Sequence, residues 1–109
     1  MFSVCYVTTP SMEVARELSK QLVMGKKAAC VNIIPVIQSV YQWEGRLQEE
    51  SECLMMIKTR ASLIEEVVAD VKRHHPYDVP EIISVPMGPG SEDYLKWVAD
   101  STTPSEHSR

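Results

Sequence analysis

AACVNIIPVIQSVYQWEGRLQEESECLMMIKT, residues 28–59, reads as two long strands joined by a tight turn at Glu44-Gly45. On the first strand the odd positions Val31, Ile33, Ile37, Tyr41 and Trp43 share one face, and Ile34, Val36 and Val40 share the other. Pro35 cannot donate to a ladder, so an edge position or a bulge is expected there. On the second strand Leu54 and Met56 alternate with Cys53, Met55 and Ile57. Near the hairpin base both faces are therefore apolar. A two-residue turn sets Trp43 opposite Arg46, Tyr41 opposite Gln48 and Ser39 opposite Glu50. The outer half carries Glu49, Glu50 and Glu52 and projects as an arm with an aromatic tip.

Working outward, Phe2–Thr8 alternates as a strand. Thr9-Pro10-Ser11 opens a helix, with Pro placed for its start and Thr9 or Ser11 as cap. Val14, Ala15, Leu18 and Leu22 form its apolar stripe, and Gly25 ends it. After the hairpin, Ser62 and Glu65 have the spacing of a capping box. Ile64, Val67, Val68 and Val71 follow as a buried stripe, and Pro76 stops that helix near His74. Val79–Val85 reads as a short strand, and Ser91 caps a last helix bearing Tyr94, Leu95 and Val98. The order is β-α-β-β-α-β-α, an α+β, ferredoxin-like split βαβ sandwich with one helix appended. Residues 1–99 form a single domain, and 100–109, DSTTPSEHSR, read as a mobile tail. Two helices cover one face of so small a sheet. The other face is apolar too, so a second subunit is expected on it.

The 109 residues carry a net charge of -4, with both signs dispersed. No basic patch interleaves with aromatics, which argues against a nucleic-acid partner. No apolar run is long enough for membrane insertion. Met1–Val4 enters strand-like sequence without a basic or apolar leader, and Cys5, Cys30 and Cys53 stand apart in apolar runs. Reduced, buried thiols in a cytoplasmic protein are the expectation.

His74-His75 is the sharpest local signal for metal chemistry. Adjacent histidines diverge by roughly 100° on a helix, so they form no chelate by spacing; two histidines at a helix C-terminus also complement its dipole. Lys58, Trp43, Tyr77 and Glu81 could converge on a cleft where subunits meet. The alternative for Lys58 is an interface salt bridge. No nucleophile–base set, glycine-rich phosphate loop or paired-carboxylate motif occurs, so the chain is not read as an enzyme.

Lys27–Asn32, Ile34-Pro35, Tyr41–Gly45, Met56–Thr59, His75-Pro76-Tyr77, Pro80-Glu81-Ile82 and Asp93–Trp97, in this order, resemble the CutA family, the divalent-cation tolerance proteins. The resemblance implies a ferredoxin-like protomer, a homotrimer built through the sheets, and likeness to PII signalling proteins, which hold ligands between subunits. It also implies a divalent metal, Cu(II) among them, held by His74, His75 and Cys30. Mammalian relatives are linked instead to anchoring acetylcholinesterase, which implies a partner protein. Bacterial members carry a cysteine where Val7-Thr8 stand here, and another at Val71, so most thiolate ligands of a Cu(I) site are missing. Two functions follow as expectations, beside a purely structural scaffold in which only trimer stability matters. One is a metal-tolerance factor using His74 or His75 with a carboxylate such as Glu81 or Glu52. The other is a PII-like signalling or anchoring module whose cleft takes a small anion or a partner protein.

Overall fold

Alternation along the first strand sets the two sides of the sheet. In the computed structural model, which describes residues 1–103, Cys5 and Val7 are fully buried while Phe2, Val4 and Tyr6 are only half-buried. The elements run β1 (Phe2–Thr9), α1 (Met12–Met24), β2 (Cys30–Trp43), β3 (Arg46–Arg60), α2 (Ile64–His74), β4 (Ile82–Pro86) and α3 (Glu92–Asp100). Every pairing is antiparallel, and the strand order is β2-β3-β1-β4. This is the ferredoxin-like α+β arrangement that the hairpin and its flanks predict.

Helices α1 and α2 cover one face. Ala15, Leu18, Leu22, Val67 and Val71 meet Cys5, Val7, Cys53, Met55 and Ile57 in one core. Each fully buried aliphatic side chain there contributes about 1.5–3 kcal/mol. The other face stays largely open. Ile34, Ile83 and Val85 are exposed on it, and Leu54 and Met56 are half-covered. Helix α3 closes one end: Arg60 donates to the Ala99 carbonyl at 2.7 Å and to Thr102 Oγ1 at 2.9 Å.

Only Cys53–Arg60 of β3 has β1 beside it, so the outer part pairs with β2 alone and leaves the sheet as an arm. Glu44 and Gly45 take φ of 52° and 78°, the two left-handed residues of a tight hairpin turn. Trp43, Tyr41 and Ser39 stand opposite Arg46, Gln48 and Glu50, as the turn predicts. The register shifts between Ile34 and Ile37. At this bulge the Cys53 thiol donates to the Pro35 carbonyl at 2.9 Å.

Several local expectations need correction. Ser62 is no helix cap, because Ala61–Leu63 forms a 3-10 turn and α2 starts only at Ile64. Ser11 caps α1, so Pro10 lies outside the helix rather than at its first position. Gly25 has φ of -81°, and Lys26 takes the left-handed step at 64°. Glycine fits at 25 for another reason: a Cβ there would sit 3.1 Å from the Gln21 carbonyl oxygen. The fourth strand begins at Ile82, not Val79. Cys30 is half-exposed, unlike buried Cys5 and Cys53. The expected tail is already tied down at its start. Asp100 closes α3, Thr102 is buried, and the Thr103 amide donates to the Lys26 carbonyl at 2.9 Å. The rest of that tail, 104–109, lies outside the described residues.

Candidate functional site

Pro76 ends α2, and the chain turns back beneath the arm. His75 anchors the turn. Its Nε2 lies 2.8 Å from the Thr8 carbonyl, and its Nδ1 accepts the Tyr77 amide at 3.1 Å. A carbonyl needs a donor and an amide needs an acceptor, which fixes a neutral ring with the proton on Nε2. The ring is 8% exposed and packs against Tyr77 at 4.7 Å between centroids.

Tyr77 reaches the arm. Its hydroxyl donates to Glu52 Oε2 at 2.8 Å. Further out, the Tyr41 hydroxyl donates to Glu50 Oε1 at 2.6 Å. Burial pushes the Tyr77 phenol well above its usual value, and the Glu52 hydrogen bond and nearby carboxylate charges push it further. The Glu50 hydrogen bond is the main cause of the raised value at Tyr41. Both phenols therefore remain donors.

Arm and turn enclose a cleft of about 780 Å3. Trp43, Tyr41 and Tyr77 supply its rings, and Glu50, Glu52, Asp78 and Glu81 its carboxylates. No lysine or arginine lines it. Three of the four expected cleft residues, Trp43, Tyr77 and Glu81, thus come together. Lys58 does not join them within this chain. It lies six residues along β3 from Glu52, about 20 Å away, and its ammonium bonds Asn32. The cleft is acidic, and a small anion does not suit it.

The expected metal ligands do not assemble. Both His75 nitrogens are occupied, so ligation would break a backbone hydrogen bond. His74 lies on the helical side, in a groove it lines with Glu13, Glu17 and Gln21. Its Nδ1 sits 3.0 Å from the Asp70 carbonyl. Cys30 pairs in register with Lys58 and lies within reach of Asn32, on the open side of the sheet. Among the described residues no three His, Cys, Asp or Glu side chains group closely enough to hold a metal ion. The resemblance-derived set of His74, His75 and Cys30 is thus not one site within this chain. Cys5 is fully buried.

Glu50, Asp78 and the Tyr41 hydroxyl escaped the sequence reading. The Tyr41–Glu50 pair had a usable signal. With Tyr41 opposite Gln48, Glu50 is its diagonal neighbour on the same face. Asp78 had none beyond its place in the HPYDVP segment.

The sequence matches the family model of the CutA1 divalent ion tolerance protein over residues 3–101. The chloroplastic protein CutA of Arabidopsis thaliana is 50% identical over 99 residues, covering 91% of this chain and 54% of that protein. The divalent-cation tolerance protein CutA of Thermus thermophilus is 42% identical over 102 residues, covering 94% and 99%. The crystal structure of CutA1 from Oryza sativa superposes with a TM-score of 0.93 at 46% identity over 95% of each chain. The chain spans little more than half the length of several eukaryotic relatives.

Proposed function

Because the chain belongs to the CutA1 divalent ion tolerance family, we propose that it is a homotrimeric cation-binding protein that serves tolerance of divalent metals, copper among them. The match over residues 3–101 carries this reading. The role is binding rather than catalysis. The metal is bound as cargo rather than held as a resident cofactor, since the described ligands do not converge within one chain. His74 is the best single contact for Cu(II). Its Nδ1 faces the Asp70 carbonyl, which leaves Nε2 as the free lone pair, in a groove that Glu13 and Glu17 also line. That is the arrangement in which a second partner orients a ligating imidazole. The three free cysteines fit a reducing cytoplasm.

Calorimetric titration with Cu(II) tests this. His74→Ala should weaken binding at least tenfold, while Cys30→Ser leaves it unchanged. Equal binding by wild type and His74→Ala would overturn the assignment. A second reading, a PII-like signalling or anchoring module with a partner protein, is favoured by the cleft under the arm. A cavity of about 780 Å3 is larger than a bare metal ion needs.

A further inference from the structure

We infer that the turn from His75 to Tyr77 is a brace that fixes the angle at which the arm leaves the sheet, so that each chain sets the direction of its own arm. The inference goes beyond the divalent-ion reading and does not depend on it. Three features coincide at the root of the arm. Strand β1 ends there, since Thr9 opposite Cys53 is its last pair with β3. The β2 bulge lies there too: Pro35 and Val36 stand between the pairs Ile34–Leu54 and Ile37–Glu52 and face Cys53 alone. A bulge bends its strand, and a two-stranded ribbon running past the sheet has little else to hold its direction. The third feature is the Tyr77–Glu52 hydrogen bond, which grips the first residue of β3 beyond the end of β1.

The brace crosses the end of β1 from one side to the other. The Phe2 carbonyl accepts the Met87 amide on the β4 side of β1. With a period of two, the Thr8 carbonyl points to that side as well, but β4 reaches only as far as Ile82 opposite Val7. His75 Nε2 donates to this carbonyl at 2.8 Å, in the place that β4 leaves empty. Two residues later the Tyr77 hydroxyl holds Glu52 on the β3 side at 2.8 Å. The Tyr77 amide on His75 Nδ1 and the contact between the two rings make these anchors one unit. Thr8 is 6% exposed, and Glu52 and His75 are each 8% exposed. Water does not replace bonds so enclosed, and breaking one leaves a buried polar group without a partner. Further subunits can only deepen that burial.

Distances between spin labels test the brace in the full chain. Labels at Leu47→Cys near the arm tip and Lys72→Cys on α2, both exposed positions, read the arm angle in a Cys30→Ser background, because Cys5 and Cys53 are buried. Excess unlabelled chain keeps each measured pair within one chain. One narrow distance is expected with the brace intact. Tyr77→Phe keeps the ring on His75 and loses only the hydroxyl, and it should broaden the distribution at least twofold. Glu52→Gln keeps an acceptor for Tyr77 and should leave it narrow. Hydrogen exchange of the core amides Val7, Met55 and Ile57 should be the same in all three proteins. A broad distribution with Tyr77 present, or a narrow one in Tyr77→Phe, would overturn the inference, since the bulge or neighbouring copies would then decide the angle. Equal broadening in Glu52→Gln would overturn it too, because charge rather than the hydrogen bond would hold the arm. So would faster core exchange in Tyr77→Phe, which would make the effect a general loosening.

Discussion

His75 and Cys5 show how burial decides what a reactive-looking residue does. The imidazole of His75 is spent on two backbone groups, Thr8 and Tyr77, so it orders the chain between α2 and the cleft. Cys5 is enclosed by the core, and burial pushes its thiol from 9.0 up to about 11. Below pH 9 the folded and unfolded chains both hold this proton, and Cys5 adds no pH dependence. Between 9 and about 11 the unfolded chain loses it while the folded chain keeps it. Stability therefore falls by about 1.4 kcal/mol per pH unit over that window and stops falling from this cause above it. Urea unfolding of wild type and Cys5→Ala from pH 8 to 11 should show this extra alkaline loss in wild type only. Parallel curves would refute the buried-thiol account. Local pattern suffices to place Cys5 in a strand and His75 at the end of a helix. No local pattern encodes that backbone groups claim both His75 nitrogens, one of them 67 residues away.

At the scale of elements, legibility followed the range of the interaction. The hairpin register needed only the period of a strand and one turn, and Pro35 marked the bulge because it has no N–H. The Ser62 capping box failed because the chain leaves β3 in a 3-10 turn, with Leu63 buried at its end. The cleft needed Tyr77 to meet Glu52 across 25 residues, and no local pattern encodes that. The turn itself keeps a local defect. Glu44, a residue other than glycine, holds φ of 52°. A left-handed residue costs roughly 1–2 kcal/mol, and asparagine tolerates the region best after glycine. Glu44→Asn should therefore strengthen the arm by about 0.5–1 kcal/mol, and Gly45→Val should weaken it by more than 1 kcal/mol. Hydrogen exchange of the amides from Val40 to Glu49 reads this directly. Exchange unchanged in both variants would mean that something other than the turn holds the arm.

The whole molecule is shaped by a sheet with one satisfied face. Cys5, Val7, Met55 and Ile57 point at α1 and α2, while Ile34, Leu54, Met56, Ile83 and Val85 point away from them. An antiparallel sheet can keep one face in water, but such a face is normally polar. Here, apart from Asn32, which accepts from Lys58, the polar residues lie on the arm and at one end, where Lys58 and Arg60 stand and α3 closes over the edge. The remaining apolar strip asks for cover from other copies, and the proposed trimer supplies it. Met56 sits in the middle of that strip, opposite Tyr6 on one side and Asn32 on the other. Met56→Glu puts a charge where subunits would meet without disturbing the helical core. Light scattering should give wild type about three times the 12.3 kDa chain mass and the variant a single chain mass with a lower melting temperature. Lys72→Glu, on the exposed side of α2, should stay trimeric. If Met56→Glu also stays trimeric, the subunits associate through another surface. If wild type is monomeric, the open face must be stable in water, and the apolar strip would have to be explained by something other than self-association.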